Sequence, residues 1–192
     1  MKKLVSVITP TYNHEKFIGQ CIESVQSQTY DNWEMIIIDD HALDQTLEIA
    51  QKYARLNKKI KIIQHKKNWG IQKLKATYNQ ALAMAQGNLI AILEGDDFWP
   101  KDKLEKQIKD FKKGETYVLS FGNCAITDPL GRLIQVKKYK IKESVFNSLI
   151  TLRLSIMSPT VMIKKSALLK INGFQNDTDY QFIDIPTYLA LA

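Results

Sequence analysis

Four short runs of mainly apolar residues recur along the first hundred positions, and polar residues, glycine or proline bound each of them. Each run has four to six residues, which suits a strand buried on both faces and is too short for an ordinary helix. The predicted strands are Leu4–Thr9, Trp33–Ile38, Ile60–Ile63 and Leu89–Leu93.

Between these runs, apolar residues recur at the three- and four-residue spacing of an amphipathic helix. This spacing predicts helices at about 15–27, at about 43–53, and from the loop Asn68-Trp69-Gly70 to about 86. Strands that alternate with helices are typical of a parallel sheet covered on both faces. We therefore expect an α/β fold with a Rossmann-like, mostly parallel central sheet and helices on both faces.

The second half of the chain has a weaker pattern. It predicts a helix from Leu104 to Phe111 that ends at Gly114, strands at 117–121, 133–136 and 160–163, and short helices at 145–152 and 166–170. The stretch Lys137–Lys142 is basic and has no clear periodicity. An apolar helical segment begins near Ile185 and the chain ends within it, so we expect the C-terminal part of the domain to be truncated.

Carboxylates follow two of the predicted strands. Glu94, Asp96 and Asp97 come directly after the fourth strand, and Asp39-Asp40 end the second. Because ligands bind at the carboxyl ends of parallel strands, both groups should meet at one rim of the sheet. Crowded carboxylates suit Mg²⁺ or Mn²⁺, which takes one or two of them plus the phosphates of a substrate. The alternative is a solvated acidic turn in which Asp96 or Asp97 lies at a helix N-terminus.

Composition narrows the class of partner. The net charge of +7 favours an anionic ligand, but the lysines are scattered, so a nucleic-acid partner is not predicted. The two cysteines lie far apart, which fits a reducing, cytoplasmic environment. No apolar run reaches the ~20 residues of a membrane span, although contact with the inner face of a membrane stays open.

At this point the chain resembles the family-two inverting glycosyltransferases, which have the GT-A fold and transfer sugars from nucleotide diphospho-sugars. The resemblance covers nearly the whole chain. Its motifs are Val5-Ser-Val-Ile-Thr-Pro-Thr-Tyr-Asn13, Ser24-Val-Gln-Ser-Gln-Thr29, Ile37-Ile-Asp-Asp-His-Ala-Leu-Asp-Gln-Thr46, Asn68-Trp-Gly70 with Asn79, and Leu93-Glu-Gly-Asp-Asp-Phe-Trp99 with Lys103-Leu-Glu-Lys-Gln107. The last is similar to an EGDD-type metal motif and the helix after it.

The resemblance implies one catalytic domain over 1–192, with a nucleotide-sugar-binding half at 1–100 and an incomplete acceptor-side half at 101–192. The donor, most often a UDP-sugar, would be bound by these residues: Thr9, Pro10, Thr11 and Tyr12 as the wall of the pocket, Asp39 and Asp40 at the base, and Asp96 at the ribose. Glu94, Asp96 and Asp97 would hold Mn²⁺ or Mg²⁺. The acceptor would be a saccharide or a glycolipid, in the synthesis of surface polysaccharide or another glycoconjugate.

The resemblance also implies a catalytic base that takes a proton from the acceptor hydroxyl. Asp184 fits that position, and Pro186 in the first turn of a helix would place Asp184 at or near the N-cap. Asp177 and Asp179 are rival candidates, and Asp184 as a simple helix cap is the structural alternative. The arginine that often precedes the position of Asn79 in the family is replaced here by Tyr78.

Two other functions remain open. A sugar nucleotidylyltransferase also uses a parallel sheet with acidic metal ligands, but it should carry a glycine-rich, arginine-containing phosphate loop where this chain has Thr9-Pro-Thr-Tyr-Asn13. A non-catalytic nucleotide-sugar-binding module would bind the nucleotide without transferring or hydrolysing the sugar.

Overall fold

The computed structural model describes residues 2–113, 117–140, 144–176 and 182–192. Within them the main sheet has six strands: β1 (Val5–Thr11), β2 (Trp33–Asp39), β3 (Ile60–Gln64), β4 (Leu89–Ile92), β5 (Leu119–Ser120) and β8 (Met162–Lys164). A separate antiparallel pair consists of β6 (Cys124–Thr127) and β7 (Leu133–Lys137). All four strands predicted in the first hundred residues are present.

The strand order in the main sheet is β3-β2-β1-β4-β8-β5. The first four strands are parallel, whereas β8 runs antiparallel to both of its neighbours. Parallel neighbours require crossover connections, and the helices between the strands supply them. The predicted mostly parallel central sheet is confirmed.

The helices cover both faces of the sheet. They are α1 (Ile18–Gln26), α2 (Thr46–Leu56), α3 (Leu74–Met84), α4 (Lys103–Lys113), α5 (Val145–Ile150), α6 (Lys165–Lys170) and α7 (Asp184–Leu191), with 3-10 turns at Ile71–Lys73 and Ser158–Thr160. No helix among these ranges is both long enough and apolar enough to cross a bilayer.

Two apolar cores lie on opposite faces of the sheet because successive strand residues point to opposite sides. Val5 and Val7 of β1 face the core under α1, α2 and α4, and Ile8 faces the core under α3. The second core also takes apolar residues from the C-terminal half, including Phe174 and Tyr188. The strands are buried on both sides, as their continuous apolar runs indicated.

The structure differs from the sequence-based prediction at several boundaries. Helix α1 begins at Ile18 rather than near Glu15, because the segment before it forms a turn in which the carbonyl of His14 accepts from Phe17 and Ile18. Thr160 lies in a 3-10 turn, so the strand predicted from it begins only at Met162. Strand β6 was not predicted, and Gly114 lies outside the described residues.

Asn79 joins the two halves of the chain. From α3 its side chain donates to the carbonyl of Phe174 at 3.0 Å and accepts from the amide of Phe174 at 2.8 Å. Phe174 is buried, and its ring meets that of Tyr78 edge to face at 5.1 Å. The amide side chain therefore fixes the segment that leads into α7.

We predict that Asn79→Ala lowers the free energy of unfolding by roughly 2–3 kcal/mol, because both backbone groups of a buried residue lose their partner. Urea unfolding followed by circular dichroism measures this loss. Gln51→Ala, at an exposed position of α2, is the control and should change stability by less than about 0.5 kcal/mol. Equal effects of the two substitutions would contradict the role of Asn79.

Candidate active site

The carboxyl end of β1 holds both acidic turns. The carbonyl of Pro10 accepts from the amide of Gly95 at 3.0 Å, and the carbonyl of Thr11 accepts from the amide of Asp40 at 2.9 Å. The segments after β4 and β2 are thereby tied to consecutive residues of the strand between them. The predicted meeting of the two acidic groups at one rim of the sheet is confirmed.

The turn after β4 depends on a glycine. The amide of Asp97 donates to the carbonyl of Glu94 at 3.1 Å, so residues 94–97 form a tight turn. A Cβ at Gly95 would overlap the side chain of Thr11 and press on the ring of His14. Glycine at this position therefore lets the acidic turn lie directly against the end of β1.

Asp96 and Asp97 form an acidic pair at this turn. Half of the Asp96 side chain is exposed, and its nearest cationic candidate is His14, whose Nε2 lies 3.9 Å from Oδ2. No described residue donates a hydrogen bond to the Asp97 carboxylate, and burial together with the charge of Asp96 raises its pKa to about 6. Two such carboxylates suit a divalent ion that completes its shell with phosphate oxygens.

Glu94 lies apart from this pair. It continues the alternation of Ile92 and so faces α3, where its Oε1 accepts from the hydroxyl of Tyr78 at 2.9 Å. Its Oε2 is buried and has no hydrogen-bond partner among the residues that the structure describes. Burial, followed by the charge of Asp97, raises the pKa of Glu94 to about 7.

The sequence suggested Glu94, Asp96 and Asp97 as three ligands of one ion. Among the described residues no three acidic, histidine or cysteine side chains are gathered in that way. The strand alternation is the reason, since it turns Glu94 toward Tyr78. The structure thus leaves Asp96 and Asp97 as the pair that fits a metal and places Glu94 beneath them.

The predicted wall of the nucleotide pocket is only partly accessible. Thr9 and Thr11 are buried, and within the described ranges the hydroxyl of Thr9 has no hydrogen-bond partner. Pro10 is partly exposed, and 39% of Tyr12 is exposed. Because side chains alternate along β1, Thr9 and Thr11 lie below the surface of the predicted pocket, a correction to the expected wall, whereas Pro10 and Tyr12 remain available to a ligand.

Asp40, the predicted partner of the base, already binds its own chain. Its carboxylate accepts from the amides of Trp69 and Gly70, both at 2.8 Å, and from Nδ1 of His65 at 2.7 Å. The rings of His65 and Trp69 stack at 3.8 Å. A carboxylate offers about four acceptor positions, so Asp40 locks the Asn68-Trp69-Gly70 loop and keeps little capacity for a ligand.

Asp39 is fully buried beside Asp40. Burial raises its pKa, and both of its oxygens lie 3.3 Å from the amide of Ala42. His41, which lies between Asp40 and Ala42, has a φ of 62°, and this lets the chain turn sharply after β2. Asp39 therefore stabilises the turn that presents Asp40. Contact of either aspartate with a base stays a prediction.

Asp184 is the first residue of α7, next to the N-cap residue Ile183, as expected. Its Oδ1 accepts from the amide of Ile185 at 2.9 Å, and the side chain is partly exposed. Ile183 and Tyr188, which flank the first turn of α7, pack in the same core as Tyr78, so the start of α7 lies on the α3 face of the sheet, which Glu94 also faces. The rivals Asp177 and Asp179 lie outside the described residues.

Sequence reasoning missed a row of donors behind the site. Side chains from Trp99, in the loop before α4, and from Lys103 and Gln107, one turn apart on α4, bind three successive backbone carbonyls before β8. Trp99 Nε1 donates to Pro159 at 2.7 Å, Gln107 Nε2 to Thr160 at 2.9 Å, and Lys103 Nζ to Val161 at 3.4 Å. The Lys103 ammonium also lies 3.7 Å from the centre of the Trp99 ring, and burial holds its pKa well below the usual range. The four-residue spacing of these polar residues was the available signal.

The raised pKa values predict a pH dependence of stability. Carboxyls that bind protons more tightly when folded stabilise the fold at low pH, and this contribution is lost as pH rises through the window from about 4 to 7. Without divalent ions, the contribution of Glu94 and Asp97 to the free energy of unfolding should therefore fall by on the order of 2 kcal/mol across this window, after the contribution of the other titrating groups is subtracted. Urea unfolding in EDTA at several pH values measures it.

Asp97→Asn removes one titrating group and should flatten this pH dependence. Asp102→Asn, which removes an exposed carboxylate paired with Lys106, is the control and should leave the decline across the upper part of the window unchanged. Stability that rises with pH in the unmodified protein, or an identical profile for Asp97→Asn, would contradict the assignment.

The chain is similar to proteins of one known family. The model of the family described as Glycosyl transferase family 2 matches residues 6–171. The putative teichuronic acid biosynthesis glycosyltransferase TuaG of Bacillus subtilis is 44% identical over 56% of this chain and 42% of its own length. The Escherichia coli enzyme WfgD, a UDP-Glc:alpha-D-GlcNAc-diphosphoundecaprenol beta-1,3-glucosyltransferase, is 37% identical over 64% of this chain and 46% of its own.

A solved structure agrees with the fold. The mannosyltransferase PcManGT of Pyrobaculum calidifontis, in complex with GDP-Man and Mn²⁺, superposes with a TM-score of 0.75 at 20% identity and covers all of this chain and 52% of its own. The chain thus spans less than half of either relative named above and about half of this structure. With the family model matching most of its length, the chain belongs to glycosyl transferase family 2.

Proposed function

We propose that this protein transfers a sugar from a nucleotide diphospho-sugar to an acceptor hydroxyl with inversion, in a reaction that depends on a divalent metal. The observation that carries the proposal is the pair Asp96 and Asp97, which lies at the rim of a GT-A-like sheet with no lysine or arginine bound to it among the described residues. Family membership supports the same reaction.

Asp96 and Asp97 would hold the metal together with the donor diphosphate, and PcManGT offers an example of Mn²⁺ bound with a nucleotide sugar. Mn²⁺ and Mg²⁺ both suit carboxylate ligands. When bound, the metal neutralises the charge that develops on the departing diphosphate. Glu94 would support the turn from beneath through its bond with Tyr78.

The nucleotide would lie over Pro10 and the exposed face of Tyr12, with Asp39 and Asp40 behind it and Asp96 at the ribose. We favour UDP, because the relative WfgD uses UDP-Glc. Thr9 and Thr11 would act indirectly, by packing under the pocket floor. The remaining acceptor position of Asp40 would take a single N–H of the base.

Asp184 would act as the base. Its partly exposed carboxylate lies at the start of α7, whose residues Ile183 and Tyr188 pack in the same core as Tyr78, the partner of Glu94. A base at this position would take the proton of the acceptor hydroxyl as that oxygen attacks the anomeric carbon from the face opposite the departing diphosphate. Attack from that face gives inversion.

The acceptor would be a saccharide or a glycolipid in the synthesis of a surface polysaccharide. TuaG, named for teichuronic acid biosynthesis, and WfgD, named for a lipid-diphosphate acceptor, support this class. We further propose a cytoplasmic location, with contact at the inner face of the membrane. The free thiols of Cys21 and Cys124 support the reducing compartment. A nucleic-acid partner is not proposed.

A non-catalytic nucleotide-sugar-binding module is the second candidate, since the chain spans only part of its relatives. Such a module would bind the donor as tightly but would neither transfer nor hydrolyse the sugar. Family membership disfavours a sugar nucleotidylyltransferase.

Nucleotide binding tests the donor site. Calorimetric titration should show UDP binding that requires Mn²⁺, and Asp97→Asn should weaken it at least tenfold, because one metal ligand is lost. Asp102→Asn, which loses the same charge just before α4, where Asp102 pairs with Lys106, is the control and should bind UDP as the unmodified protein does. Metal-independent binding, or equal affinities of both variants, would contradict the metal-site proposal.

Turnover by substituted proteins tests the role of Asp184 as the base. Asp184→Asn should lower kcat by a factor of about 10²–10⁴ and leave UDP affinity unchanged. Asp177→Asn and Asp179→Asn should retain most of the activity. A larger loss in either of these, with normal turnover in Asp184→Asn, would move the catalytic role to that residue.

A further inference from the structure

The antiparallel pair β6–β7 and the residues after it, 124–140, form a two-stranded ribbon that carries an exposed apolar surface. Val136 pairs with Ala125 and Leu133 with Thr127, with an irregularity between them. Every residue from 129 to 136 is exposed. The exposed fractions are 77% for Leu130, 62% for Leu133, 66% for Ile134 and 43% for Val136. Large apolar residues gathered on an otherwise unsupported ribbon indicate a surface that meets a partner.

The ribbon tip is ordered by its own hydrogen bonds. The Asp128 carboxylate accepts from the amides of Leu130 and Arg132, both at 2.9 Å, and from Nε of Arg132 at 2.6 Å. The turn therefore holds Leu130 outward in a fixed conformation. The same contact pairs the negative charge of Asp128 with the positive charge of Arg132.

The ribbon base is fixed to the body of the protein. The hydroxyl of Tyr139 donates to the carbonyl of Ser155 at 2.8 Å, its amide donates to Asn123 at 3.1 Å, and its ring meets Phe121 edge to face. These bonds set the direction in which the ribbon leaves the domain. The apolar tip is thus presented by a structure anchored at its lower end.

The charge of the ribbon selects the partner. Lys137, Lys138 and Lys140 lie on the base side of the apolar tip, and Asp128, already paired, is the only acidic residue in 124–140. A second copy of the ribbon would bring lysines against lysines. An anionic bilayer instead offers an apolar interior to the tip and negative headgroups to the lysines.

The position of the ribbon relates it to the acidic pair. Tyr139 at the ribbon base bonds to the backbone of Ser155 and Met157, and the same segment continues to Pro159, whose carbonyl accepts from Trp99, two residues after Asp97. A membrane that held the ribbon would therefore lie on the side of the protein where the acidic turn is found. Membrane binding by the ribbon gives a location on the protein to the membrane contact in the proposed function, and its consequence for glycolipid acceptors rests on that function.

We propose that the ribbon docks on an anionic lipid surface, with Leu130, Leu133 and Ile134 entering the headgroup region and Lys137, Lys138 and Lys140 contacting lipid phosphates. The site would then open toward the membrane that carries its acceptor.

Sedimentation with lipid vesicles tests the proposal. The protein should bind vesicles that contain phosphatidylglycerol and phosphatidylcholine, and it should bind vesicles of phosphatidylcholine alone much more weakly. The double variant Leu133→Ser/Ile134→Ser should bind at least tenfold more weakly, and Lys138→Ala/Lys140→Ala should lose about fivefold per lysine. Leu43→Ser/Leu56→Ser, at positions 78% and 88% exposed outside the ribbon, is the control and should bind as the unmodified protein does.

Circular dichroism and UDP titration of each variant distinguish a failure of the membrane proposal from a failure of the donor-site proposal. Loss of vesicle binding with a native spectrum and unchanged UDP affinity supports the proposal, and the same vesicle result without any UDP binding would refute only the donor-site proposal. Absence of binding to anionic vesicles, or equal binding by the ribbon and control variants, would overturn it. So would a dimer in solution that the ribbon substitutions dissociate, since a second copy would then cover the surface.

Discussion

The carboxyl end of β1 is the point on which the site depends. Its last two carbonyls accept from Gly95 and Asp40, so the turns after β4 and β2 are fixed to one central strand. Gly95 allows this approach because any larger side chain would overlap Thr11. Backbone bonds between buried strands are costly to break, and the acidic residues at the rim are therefore held by the most stable part of the fold.

The energetics of the rim follow from that close packing. Asp97 is partly buried beside the half-exposed Asp96, with no bound lysine or arginine among the described residues, and burial together with the charge of Asp96 raises the pKa of Asp97. The fold thus stores electrostatic repulsion that a divalent ion with a diphosphate would relieve. Below this pair the hydroxyl of Tyr78 donates to Glu94, so the buried Glu94 carboxylate has a neutral hydrogen-bond donor.

The C-terminal half supplies orientation. Asn79 holds Phe174 through two hydrogen bonds, the amide of Gln175 donates to Thr187 of α7 at 2.9 Å, and Tyr188 packs in the same core as Tyr78. Helices α3 and α7 are therefore fixed relative to each other. The donors from Trp99, Lys103 and Gln107 hold the segment before β8 in the same way. The candidate base on α7 and the acidic pair after β4 are consequently parts of one packed unit, from which the ribbon projects.

The sequence by itself determined the order of the elements and the position of the acidic turns, because apolar runs and the residues at their ends are local properties of the chain. It also determined that β1, β2 and β4 would present their ends together, since crossover helices make neighbouring strands parallel. Only the tertiary structure decided which way each side chain points. Thr9 lies inside, Glu94 faces Tyr78, and Asp40 binds the Trp69 loop, because distant segments supply those packing surfaces and hydrogen-bond partners and local spacing carries no information about them.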